Sequence, residues 1–143
     1  MKTSTRPRVV MDTNVIFSAL YDLNSDAGKL LIYSIEGRVE LLASSYIMGE
    51  LERNLKGKLG YSDEEFNETI KALPIEWIED ESYSRHIKKA GRMIKHERDI
   101  PILAFALSLK SDVVSGDEHF QNVRAKSLKC WRLKELIELL EEE

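Results

Sequence analysis

The chain contains a single cysteine, Cys130, among its 143 residues, so no internal disulfide can hold it together. At this length none is required, because one domain spanning residues 1–143 buries enough apolar surface without a disulfide or a structural metal. Long apolar runs are missing too: nothing approaches the roughly 20 consecutive apolar residues of a membrane helix, which excludes helical membrane proteins. The basic segment Met1 to Arg8 is followed by no signal-type apolar stretch, so a cytoplasmic protein without a membrane partner is expected. The lone thiol agrees with a reducing compartment, and with no histidine near it in sequence Cys130 suits a core position better than a nucleophile's. There is no internal repeat, low-complexity tract or linker.

Excess positive charge is also lacking. A net charge of −4 argues against binding nucleic acid through a general positive field. The distribution is uneven, however. Acids crowd into Glu79-Asp80-Glu81 and Glu141-Glu142-Glu143, whereas Arg85 to Arg98 carries six Lys and Arg residues together with His86 and His96. Lys88, Arg92 and Lys95 recur at helical spacing and would present a basic stripe to phosphates, although a solvated helix face produces the same pattern. Both histidines, lying in a charged helix, read as surface residues.

What is present is an alternation of strands and helices. Val9 to Met11 reads as a buried strand, Thr13 to Leu20 as a helix, and Asn24-Ser25-Asp26 as a loop and cap. A second helix carries Leu30, Leu31 and Ile35 and ends near Gly37. Val39 to Ala43 is a short strand, followed by a helix with Ile47, Leu51 and Leu55 spaced by four and closed by Gly57 to Gly60. Ser62-Asp63-Glu64-Glu65 has the form of a capping box, opening a helix that Pro74 stops. Ile75 to Ile78 suggests a strand, Ser82 to Lys95 a helix, and Asp99 with Pro101 the start of another running Ile102 to Leu109. Asp112 to Ser115 is a buried strand, a last strand falls near Lys126 to Trp131, and a final helix bears Leu133, Leu136, Ile137 and Leu140. Such alternation implies an α/β domain with a parallel sheet covered on both faces.

Four acids then fall on one rim of the expected sheet. Asp12 follows the first strand, Glu50 lies in the helix after the second, Asp99 opens a helix, and Asp117 follows the strand ending at Ser115. Ligands of open α/β sheets bind along that rim. Helix capping accounts for Asp12 or Asp99 as well, and a turn for Asp117. Glu50 resists such a reading, since it borders the apolar stripe of Ile47 and Leu51, where an unpaired carboxylate is costly. Two carboxylates about 5 Å apart at an effective dielectric near 20 repel by roughly 3 kcal/mol, so a convergent set must take up protons or hold a cation. Oxygen ligands without a His or Cys cluster suit Mg²⁺ or Mn²⁺. Thr13 and Asn14 are placed to add hydroxyl and amide contacts.

The segments Val10-Met11-Asp12-Thr13-Asn14-Val15, Ala43-Ser44-Ser45 to Glu50-Leu51, Asp99 to Ala106, and Val113 to Phe120 together resemble a PIN domain, in order and over almost the whole chain. The resemblance is strongest to the PIN-type toxins of prokaryotic toxin-antitoxin modules. It implies a three-layer α/β/α fold around a central parallel sheet of four to five strands, and metal-dependent cleavage of RNA phosphodiesters. It further implies Asp12, Glu50, Asp99 and Asp117 as metal-site acids, Asn14 as a supporting polar group, a cognate antitoxin as partner and a homodimer. One departure stands out: where many members carry a second acid two positions after the residue matching Asp117, this chain has His119, which leaves the number of metal ions open.

On this reading a divalent ion held by Asp12, Asp99 and Asp117 activates a water, Glu50 ligates through water or orients the nucleophile, and no residue nucleophile is needed. Arg53, Lys56, Lys88, Arg92 and Lys95 are candidates to hold the RNA backbone, and His119 to bind phosphate or protonate a leaving group. Two rivals stand beside it. An aspartyl phosphatase commonly has a second Asp two residues after the first, and Asn14 stands there. A non-catalytic RNA-binding or partner-binding module would keep the fold without turnover.

Overall fold

The computed structural model describes residues 6–79, 81–116 and 118–142. Its first strand, β1 (Arg8–Met11), is an apolar run whose last three residues are fully buried, as a strand flanked on both faces requires. It leads into α1 (Thr13–Tyr21) and α2 (Asp26–Ile35), the latter capped by the Ser25 hydroxyl, which accepts the Gly28 N–H. Next come β2 (Glu40–Ser44), α3 (Ser45–Leu59) and α4 (Asp63–Ala72). Gly60, at φ 70°, terminates α3 in the left-handed conformation that glycine adopts without a Cβ clash. The capping box read from Ser62 to Glu65 is complete, each residue's side chain accepting the other's backbone N–H.

The chain continues through β3 (Glu76–Ile78), a 3-10 turn (Glu81–His86), α5 (Ile87–Met93), a second short 3-10 turn (Glu97–Asp99) and α6 (Ile100–Leu109). It closes with β4 (Asp112–Ser115), β5 (Cys130–Arg132) and α7 (Leu133–Glu141). The single helix expected over Ser82 to Lys95 is therefore divided. Tyr83, Ser84 and His86 are weak helix formers, and His86 gives α5 no side-chain cap. The last strand is shorter than its expected span because pairing with β4 starts only at Cys130, opposite Val113.

The five strands pair in the order β3-β2-β1-β4-β5, all parallel. Right-handed crossovers place α1 to α4 on one face, where α7 packs against α2, and put α5 and α6 on the other. The result is the expected three-layer α/β/α arrangement. α6 is apolar nearly all round, and its run Ile102 to Leu107 is buried between the sheet and the elements outside it. Because the chain leaves β1 toward β2 and later returns to its other side as β4, the strand order reverses between β1 and β4. The carboxyl ends of these two strands flank the crevice where such sheets bind ligands.

Candidate functional site

The β1–β4 register sets Met11 beside Val114, so Asp12 emerges next to Ser115 at the shared rim. Asp12 is 4% exposed, and the Ser115 hydroxyl donates to its Oδ2 at 2.8 Å. The Asn14 N–H reaches Oδ1 at 3.5 Å, the outer limit of a hydrogen bond, so helix capping accounts for little of this carboxylate's placement. Thr13, the next residue, is buried and donates from Oγ1 to Glu50 Oε1 at 2.6 Å. Glu50 is 6% exposed on α3, and its other oxygen accepts from Arg98 Nη2 at 3.3 Å. The carboxylate thus lies between a neutral hydroxyl and a cation, which offsets the cost of burying it.

Asp99 is 8% exposed and occupies the position before α6, yet its side chain makes no cap bond. It turns instead toward His119, whose Nδ1 lies 2.8 Å from Asp99 Oδ2. With the carboxylate ionised, Nδ1 carries the hydrogen. The His119 ring stacks on His96, with centroids 3.3 Å apart and planes within 14°. A further tie crosses the site: the Tyr46 hydroxyl on α3 donates to the Arg98 carbonyl at 3.3 Å, fixing the turn that carries Arg98 and Asp99. Burial, reinforced by the Glu50 charge, raises the Tyr46 pKa and keeps this phenol a donor.

Asp12, Thr13, Asn14, Glu50, His96, Glu97, Arg98, Asp99 and His119, with the apolar Ile102, line one cavity of about 210 Å³. A second cavity of about 410 Å³, bordered by Ser18, Gly116 and Glu118, shares Asn14 with the first. The structure therefore gathers Asp12, Asn14, Glu50, Asp99 and His119 at one place. Asp117 lies outside the described residues. Of the basic candidates, Lys56 is engaged by Glu52 and Asp63, which raise its pKa. Arg53, Lys88, Arg92 and Lys95 are exposed, and none of the five lines this cavity.

Sequence reading did not single out Ser115, Arg98 or His96 for the site. His96 is exposed, as a surface residue would be, but its ring forms part of the cavity wall. Among the described residues, no three His, Cys, Asp or Glu side chains are clustered closely enough to hold a metal by themselves. By donor chemistry alone, the carboxylate oxygens of Asp12, Glu50 and Asp99 suit a hard divalent cation rather than a soft one. Ser115, Thr13 and His119 each hydrogen-bond one oxygen of Asp12, Glu50 and Asp99 respectively.

A five-stranded parallel sheet with buried carboxylates where its strand order reverses defines an α/β protein of the strand-end-crevice class. Within that class the assignment is specific: the PIN domain family model matches residues 10–141, and the chain belongs to the PIN domain family. No curated protein sequence matches it. Its fold is similar to that of a chain in the DNA-bound VapBC2 structure from Rickettsia felis, at 14% identity and a TM-score of 0.68, over 87% of this chain and 98% of the other. DNA-bound VapBC from Salmonella typhimurium gives 14% identity and 0.67, over 90% and 99%. VapBC-1 from nontypeable Haemophilus influenzae gives 19% and 0.60, over 89% and 98%. Among the described residues, no helix is long and apolar enough to cross a membrane.

Proposed function

We propose that this protein is a divalent-metal-dependent endoribonuclease that hydrolyses RNA phosphodiesters with Mg²⁺ or Mn²⁺, acting as the toxin of a toxin-antitoxin module. The observation that carries this reading is the convergence of Asp12, Glu50 and Asp99, each buried, on one polar cavity at the carboxyl edge of the sheet. Hydrogen bonds from Ser115, Thr13 and His119 offset part of the cost of burying these acids, and a shared divalent cation would offset their mutual repulsion.

Asp12 and Asp99, with Asp117 and Glu50 completing the set, are the residues that would hold the ion. When bound, it supplies a lowered pKa for water and charge stabilisation at the phosphoryl oxygens. The chain's own groups prepare the site. Ser115 and Thr13 donate to carboxylate oxygens and fix their orientation, so little reorganisation remains at the moment of reaction. His119 holds one oxygen of Asp99, and both residues line the cavity. Asn14 stands between the two cavities, where its amide is within reach of substrate oxygens.

The similar folds in VapBC structures, and in a structure from Klebsiella pneumoniae described as a toxin-antitoxin complex, support a cognate antitoxin as partner. A homodimer and a cytoplasmic location belong to the same reading. Purified protein is expected to cleave RNA when Mg²⁺ or Mn²⁺ is added and to lose cleavage on Asp12→Asn or Asp99→Asn. Unchanged cleavage in both variants would refute the assignment. Metal titration by calorimetry separates the enzyme from a non-catalytic module, which would bind RNA without binding the ion.

A further inference from the structure

We infer that Arg98 is the residue that receives the phosphodiester backbone of the substrate, and that its bond to Glu50 is the resting position of a movable clamp. The inference rests on the ribonuclease reading above and adds to it a specific binding group. Among the described residues lining the carboxylate cavity, Arg98 is the one permanent cation. An anionic strand approaching Asp12, Glu50, Glu97 and Asp99 meets four negative charges and needs a positive one beside them. The basic residues marked by the sequence do not line this cavity, whereas Arg98 does.

Its geometry suits a clamp. The backbone is anchored, since the Tyr46 hydroxyl on α3 holds the Arg98 carbonyl, and the neighbouring Asp99 immediately precedes α6. The side chain is 81% exposed, and its bond to Glu50 uses one of five guanidinium donors at 3.3 Å, long for a charge-assisted contact. The remaining donors form a planar fork that matches two phosphate oxygens. Glu50 does not depend on Arg98 alone, because Thr13 bonds its other oxygen at 2.6 Å. The guanidinium is therefore free to turn outward to a phosphate while Glu50 stays oriented.

The test is RNA binding without turnover. In an Asp12→Asn background, fluorescence anisotropy with a labelled single-stranded oligoribonucleotide is measured across a salt series. Arg98→Gln is expected to weaken binding roughly five- to tenfold at low salt and to reduce the slope of log K against log salt by about 0.7, the value for one phosphate contact on a single strand. Arg98→Lys keeps the charge and should preserve the slope while losing part of the affinity, since an ammonium lacks the fork. Lys134→Gln on α7 changes net charge equally and serves as the control. If Arg98→Gln binds RNA no worse than Lys134→Gln, the clamp is refuted while the nuclease reading stands. Should Arg98→Gln fail to fold, Arg98→Lys decides: binding equal to the Arg98 protein in both affinity and slope overturns the fork. Absence of RNA binding in the Asp12→Asn background, together with no cleavage by the unsubstituted protein, would remove the ribonuclease reading and the clamp with it.

Discussion

Replacing Thr13 by valine isolates one buried contact of the site, because the two side chains have nearly the same shape and differ in the hydroxyl. Thr13 Oγ1 donates to Glu50 Oε1 at 2.6 Å between two buried residues. A hydrogen bond to a charged group contributes about 1.5–3 kcal/mol, and its loss leaves a carboxylate oxygen desolvated without that donor. Arg98 still serves the other oxygen, which places the expected cost near the middle of that range, about 2 kcal/mol. For a chain of this size the unfolding entropy is about 0.3 kcal/mol/K, so Tm should fall by about 7 °C. Urea denaturation at pH 7 should show a lower midpoint at unchanged m, because the surface exposed on unfolding is the same. In a Glu50→Gln background the acceptor is neutral and the same substitution should cost about 1 kcal/mol, giving a coupling of about 1 kcal/mol in the double-mutant cycle. Equal costs in the two backgrounds, or a change under about 0.5 kcal/mol in the first, would refute the charge-assisted bond.

Gly28→Ala places a Cβ 2.1 Å from the Leu23 carbonyl oxygen, a backbone atom that cannot rotate away, so a loss of about 1–3 kcal/mol is expected by thermal melting. An unchanged Tm would mean that α2 shifts freely against the preceding loop. Burial pushes the Cys130 thiol up to about 12, so the folded protein should resist alkylation at pH 8 and react on unfolding; rapid labelling of the native state would contradict this. The hydrogen bond from the Ser62 backbone N–H lowers the Glu65 pKa below its ordinary 4.5, so the capping box stabilises α4 above that pH and loses its effect as pH falls through the folded value. Accordingly, Glu65→Gln should melt below the unsubstituted protein at pH 7, and the gap should close under acid conditions. Divalent cations should raise Tm in the unsubstituted protein and much less in Asp99→Asn; an equal rise in both would place the ion elsewhere.

Much of this architecture is readable locally. The apolar triplet Val9-Val10-Met11 can be satisfied only by burial on both faces, and it forms the central strand. The Ser62–Glu65 capping box is a matter of four consecutive residues, and it formed as read. Glu50 was legible because helical spacing put it beside Ile47 and Leu51, and all three are buried. The segment from Glu81 to Met93 was less so, since weak propensities leave the choice between 3-10 and α geometry to packing against α6.

Local sequence carries the order of strands and helices, the class of fold, and the positions of Asp12 at a strand end, Asp99 before a helix and Glu50 within one, because periodicity and capping act within a few residues. Tertiary structure alone decided which groups meet those acids. Ser115 reaches Asp12 across 103 positions because β4 pairs with β1, and Arg98 reaches Glu50 across 48 because α3 and the turn before α6 share the rim. His96 joins the cavity wall through a ring stack with His119 that no spacing rule encodes. Hydrogen bonds and stacking depend on separations of a few ångströms between atoms far apart in the chain, and these are set when the strands choose their neighbours.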